Sequence, residues 1–90
     1  MKEAHEATEK FHYICQTYIA AKGKQAPLQV EKLFEYSSAS QAEERAAREF
    51  NSETCVGADA YSLAEDLNSG EVGLPVFLAR HGTVPENEDF

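Results

Sequence analysis

The clearest helix in this 90-residue chain is SASQAEERAAREFN, positions 38–51. Alanine, glutamate and arginine are strong helix formers. Ser40 with Glu43 three positions on has the spacing of a capping box. Ala39, Ala42, Ala46 and Phe50 form an apolar stripe. Small alanines let such a helix lie close on a neighbouring layer, and Phe50 anchors its far end. Glu43, Glu44, Arg45, Arg48 and Glu49 are expected to cover the solvated side, with Glu44–Arg48 supporting the helix at i,i+4.

A single helix must pack on something, and the sequence around it offers strands. KFHYICQTYIAA is dense in aromatic and β-branched residues and ends at the turn signal Lys22-Gly23-Lys24, so Phe11–Ala21 reads as a strand. A helix over the same region stays open, because Ala4, Thr8, Phe11, Cys15 and Ile19 also fall at helical spacing. After Pro27, LQVEKLFEY alternates. Leu28, Val30, Phe34 and Tyr36 share one face with Lys32; Gln29, Glu31 and Glu35 share the other with Leu33. Beyond Asn51, Val56–Asp66 and Val72–Arg80 alternate again, around a turn at Asn68-Ser69-Gly70. Pro75 has no N–H for a ladder and must sit at an edge, a strand start or a bulge.

The order β-β-α-β-β predicts an α+β fold: one four-stranded, mainly antiparallel sheet with the helix on one face. Residues 10–84 are expected to form the domain, between a flexible arm at 1–9 and an acidic tail at 85–90. The helix crosses between the second and third strands, by a right-handed connection if those strands are parallel neighbours. One helix cannot cover both sides of a sheet. Ile14, Tyr18, Leu33, Tyr61, Leu63 and Phe77 fall on the alternate faces of their strands, which predicts an apolar, tyrosine-containing patch on the helix-free side. Glu65, Asp66 and Glu71 are expected to give it an acidic rim.

Composition narrows the partners. The net charge is −8, and from residue 31 onward Lys32, Arg45, Arg48 and Arg80 stand against thirteen acids. That field repels phosphate backbones and argues against direct nucleic-acid binding. No run of about 18 apolar residues suggests a membrane span. The charged start MKEAHEATEK has no apolar segment of a secretory signal, so a cytoplasmic protein is expected. In that compartment Cys15 and Cys55 are expected to be reduced.

Three features invite chemistry. Arg80-His81-Gly82 after an apolar strand resembles the signature of the histidine phosphatase superfamily, whose histidine takes the phosphoryl group. That family surrounds the motif with further basic residues on a much larger domain, and a phosphoryl site needs such preorganised charge; this chain has only eight residues after Gly82 and no basic cluster. His12 and Cys15 point to opposite faces if they lie on a strand, and neither CxxC nor HExxH occurs, so no metal or other cofactor is expected. A calcium loop at EDLNSGEVG fails in both frames, since neither start gives the required glycine and the closing glutamate together. A small enzyme using His81 or Cys55, or a metal- or ligand-binding protein, remains as the alternative class.

The segments YICQTY, SASQAEERAAREF and GADAYS…SGEVG…FLARHGTVP resemble a family of small uncharacterised bacterial proteins, a likeness that brings no activity with it. The β-β-α-β-β plan resembles compact anti-CRISPR proteins. That resemblance implies a non-catalytic inhibitor occupying a surface of a nucleic-acid-binding complex. The expected function is therefore a non-enzymatic interaction module, acting on a protein partner or as a homodimer.

Overall fold

The computed structural model describes residues 8–20 and 28–85. The turn at residues 22–24, and most of the expected N-terminal arm and acidic tail, lie outside them. Within them the order is β1 (Glu9–Ala20), β2 (Leu28–Tyr36), α1 (Ala39–Asn51), β3 (Gly57–Asp66) and β4 (Val76–Gly82). Position 11 therefore lies on a strand, which resolves the strand-or-helix ambiguity over this region. All four strands join one antiparallel sheet in the order β2-β1-β3-β4. Because β2 and β3 both run antiparallel to β1, they are parallel to each other with β1 between them. The helical crossover thus joins parallel strands that are not neighbours, and β1 fills the gap.

The helix lies mainly over β1 and β3. Its inner surface meets the sheet through small side chains: Ala42 and Ala46 pack with Cys15, Ala58 and Ala60, all fully buried. Tyr13, Phe34, Tyr36, Phe50, Leu78 and Ala79 close the sides of this core. Dense packing of small groups brings backbones close and leaves no slack for a larger residue.

Two expectations about the helix change. The N-cap is Ser38, not Ser40: its extended backbone stops the helix, and its Oγ accepts from the Gln41 N–H at 3.3 Å. Gln41 at the third position supplies the other half of a capping-box sequence, two residues earlier than expected. The second change concerns Glu49, which is buried rather than solvated. It accepts from Arg45 Nε at 2.9 Å and from Lys32 Nζ at 3.3 Å, so the i,i+4 pair seen in the helix is Arg45–Glu49. Arg45 also stacks on Phe34, 4.0 Å from the ring centroid.

Two bulges revise the strand faces. In β2 the register moves from Thr17↔Lys32 to Tyr18↔Val30, leaving Glu31 as the extra residue. Lys32, Phe34 and Tyr36 therefore face the helix, whereas Val30 turns with Tyr18 to the other side, and the single stripe expected for β2 is split. Buried Thr17 repairs the ladder: its Oγ1 accepts from the Lys32 N–H at 3.1 Å and donates to Glu31 at 3.3 Å. In β4 the register moves from Ala60↔Ala79 to Tyr61↔Phe77, and Leu78 is extra. Leu78 and Ala79 then both reach the core, although simple alternation separates them.

The fourth strand starts at Val76, not Val72. Pro75 breaks the ladder just ahead of it, and Val72 contributes only an isolated bridge to Glu65. The expected turn is present: Gly70 has a φ of +79°, and its N–H donates to the Asp66 carbonyl at 2.7 Å.

Candidate interaction face

Alternation from Cys15, which faces the helix, sends His12, Ile14, Gln16 and Tyr18 of β1 to the opposite side of the sheet. Cross-strand pairing carries the rest of that face: Leu33 opposite Gln16, Glu35 and Tyr61 on either side of Ile14, Leu63 opposite His12, and Phe77 opposite Tyr61. All six apolar residues expected on the helix-free face lie there. Their exposure differs, however. Ile14 and Tyr18 are buried, Tyr61, Leu63 and Phe77 are half-buried, and Leu33 is 56% exposed. Any contact made here begins with Leu33 and its neighbours, with Ile14 and Tyr18 as the floor.

A partly open hollow of about 230 Å³ sits on this floor, lined by Gln16, Tyr18, Tyr61, Leu63, Pro75 and Phe77. The Tyr61 and Phe77 rings meet at 5.8 Å. Leu74, next to Pro75 in the β3–β4 connection, is 78% exposed. The hollow is smaller than the roughly 300–1,000 Å³ typical of sites for drug-sized ligands. Its size suits one inserted side chain.

A chain of hydrogen bonds runs beneath the apolar surface. Tyr61 Oη donates to Gln16 Oε1 at 2.7 Å, and Gln16 Nε2 donates to Tyr18 Oη at 3.0 Å. Tyr18 Oη donates in turn to Asp59 Oδ2 at 2.9 Å. Arg80 grips the same carboxylate through two nitrogens, Nε to Oδ1 at 2.9 Å and Nη2 to Oδ2 at 3.1 Å. The fork geometry of guanidinium matches a carboxylate in this way. Arg80 also lies over Phe77, 3.9 Å from the centroid, and donates to the Pro85 carbonyl. Burial, then the bond to Asp59, pushes the Tyr18 phenol well above its ordinary value; burial also raises Tyr61. The bond to Asp59 holds Arg80 still more firmly in its charged form. Tyr18, Tyr61 and Arg80 thus keep their protons, and their hydrogen bonds fix the shape of the face.

Sequence patterning missed this chain, yet a signal was present. Asp59 stands alone between Ala58 and Ala60 in a strand of small residues, and Arg80 is the one Lys or Arg between residues 56 and 85. A lone acid in a buried strand needs a cation, and Arg80 is the one that the two strands after the helix supply.

The three acids of the expected rim have different roles. Glu65 accepts from His12 Nε2 at 2.8 Å. Asp66 uses Oδ1 to accept from the Asn68 and Ser69 N–H groups at 2.8 and 3.4 Å, which caps the turn. Glu71 is exposed on the far side of that turn. The rim is thus partly committed to holding its own strands together.

The other reactive side chains are tied into the fold. His81 faces the helix and stacks on Phe50 at 5.9 Å, while Arg80 faces the opposite side. Gly82 has a φ of +70°, and a Cβ there would stand 2.4 Å from the Phe50 ring. The Arg-His-Gly run is explained residue by residue as an ion pair, a stacked ring and a tight backbone approach. Cys15 and Cys55 are free thiols. Burial pushes Cys15 up to about 11. Burial also raises Cys55, whose Sγ donates to the Glu49 carbonyl at 3.7 Å. His12 and Cys15 lie on opposite faces of β1. Among the described residues no group of three or more His, Cys, Asp and Glu side chains is arranged to hold a metal ion, and no helix is long and apolar enough to cross a membrane.

Compared with protein families, curated proteins and solved structures, the chain matches none.

Proposed function

We propose that this protein is a non-enzymatic interaction module that binds a protein partner through the helix-free face of its sheet. One observation carries the reading. The face combines a side-chain-sized apolar hollow with exposed Leu33 and Val30, which pair with its lining residues Gln16 and Tyr18, and exposed Leu74 is the chain neighbour of its lining residue Pro75. Interfaces are anchored by a few apolar or aromatic side chains seated in well-packed pockets. The tyrosines suit such a surface because they offer large contact area and a polar tip at small entropic cost. The hydrogen-bonded chain below them holds the hollow in shape before a partner arrives, which reduces the ordering cost of binding.

The specific form of this proposal is a small acidic inhibitor, anti-CRISPR-like, that covers a basic surface of a nucleic-acid-binding complex. The net charge of −8 supports it, because a basic groove attracts such a molecule and phosphate repels it. Pull-down from cell extract and sedimentation of the purified protein test the reading together. Wild type is expected to retain a partner or to self-associate. Leu33→Glu and Leu74→Glu, at exposed positions that leave the fold intact, are expected to abolish that association. Association unchanged in both variants would remove this face as the binding surface.

A further inference from the structure

We propose that His12, held between Glu35 and Glu65, is a pH-responsive clamp that ties β2, β1 and β3 together and sets the charge of the helix-free face. The geometry is specific. Nδ1 lies 2.5 Å from Glu35 Oε2 on one flanking strand, and Nε2 lies 2.8 Å from Glu65 Oε1 on the other. A neutral imidazole has a single N–H, whereas two carboxylates on opposite ring nitrogens require two. Only the imidazolium satisfies both. Loss of the proton turns one of these bonds into a lone pair facing a carboxylate.

The position gives the clamp a task. Phe11, the next residue toward the N-terminus and on the helix side, is 51% exposed, so the helix does not cover this end of the sheet. The strands are held there by ladder bonds and by the Glu35–His12–Glu65 bridge. Among the described residues, few ionisable groups on this face lie near His12; Asp59 and Arg80 are paired with each other farther along the strands. Glu35 comes from β2, Glu65 from β3, and Lys10 lies on β1 itself, opposite Glu65. Glu71 lies beyond the β3–β4 turn. With His12 charged, Lys10 and His12 balance Glu35 and Glu65; with His12 neutral, the same end of the face carries a net negative charge. Protonation therefore tightens the strands and adds a positive charge that offsets one carboxylate next to Leu63, which lines the hollow.

The hydrogen bond to Glu35, then that to Glu65, raises His12 above its ordinary 6.5. Its stabilising contribution is fully present below that ordinary value and is lost as the pH rises through the elevated folded value. This inference is independent of whether the face binds a partner.

Histidine NMR titration tests it, with the His12 resonance assigned by its disappearance in His12→Gln. In the wild type the midpoint is expected above 6.5. Glu35→Gln and Glu65→Gln should each move it down, and the double variant should move it furthest. Amide exchange at Tyr13 and Ile14 is expected to quicken as the pH passes the wild-type midpoint, beyond the ordinary base-catalysed rise shown by Ala60. A midpoint at or below 6.5 overturns the proposal, as does one unmoved by both glutamine substitutions. If His12→Gln does not fold, the resonance is assigned through its bonds to the His12 backbone in isotope-labelled wild type, and the same outcomes decide.

Discussion

Asp59 is fully buried on the side of the sheet that no helix covers, and Arg80 and Tyr18 together answer its charge. Removing one member of a buried pair leaves the other uncompensated and is more damaging than never having had the pair. Asp59→Ala is therefore expected to lower stability by about 3 kcal/mol in chemical denaturation. Asp59→Asn, which keeps the shape and one acceptor, should cost about 1–2 kcal/mol. The thiols provide a second test at this scale. Cys15 is fully buried and pushed up to about 11, whereas Cys55 is partly exposed. Alkylation of the native protein at neutral pH, followed by mass spectrometry, is expected to label Cys55 first and Cys15 only on unfolding.

At the scale of elements, the helix is limited by its small inner surface and by its last turn. Ala46 is wholly enclosed against Cys15, Ala58 and Ala60. Ala46→Leu should cost about 1–3 kcal/mol through overpacking, while the same change at the outward Glu43 should be nearly neutral. Beyond the C-cap Ser52, Glu53 has a φ of +62° and donates its N–H to the Phe50 carbonyl. A side chain in that conformation costs about 1–2 kcal/mol, and glycine adds roughly 0.5–1 kcal/mol of unfolded-state entropy. Glu53→Gly is thus expected to stabilise the protein by about 0.5 kcal/mol, read as a small rise in denaturation midpoint. Most elements were legible in the sequence because their periods differ, 3.6 for the Ala-Glu-Arg segment and 2 for the last three strands, whereas the first strand was read from its aromatic and β-branched composition against a competing helical spacing. The bulges were not. An extra residue at Glu31 or Leu78 leaves no mark on alternation until the partner strand fixes the register, so Val30 was assigned to the wrong side.

For the whole molecule, the balance of charge and apolar surface governs how it meets others. If the partner is basic, association should weaken steeply with added salt, because screening acts on the long-range attraction and leaves the apolar contact at Leu33 and Leu74 in place. Binding measured by calorimetry between about 50 and 500 mM salt checks this; a salt-independent affinity would point to a purely apolar, uncharged partner or to a second copy of the chain.

The sequence by itself determined the order of the elements, the kind of all but the first, and the presence of a second face away from α1, since one amphipathic helix cannot cover both sides of a four-stranded sheet. It also placed Ile14, Tyr18, Leu33, Tyr61, Leu63 and Phe77 on that face, by alternation alone. Only the tertiary structure decided that β1 lies between β2 and β3. That one fact brings Glu35 and Glu65 to opposite edges of the His12 ring, although they are 30 residues apart; the β3–β4 register separately sets Asp59 against Arg80. The physical reason is that periodicity reports which way a side chain points along its own strand. Which side chains it meets depends on strand order and register, and those are set by the packing of the whole sheet.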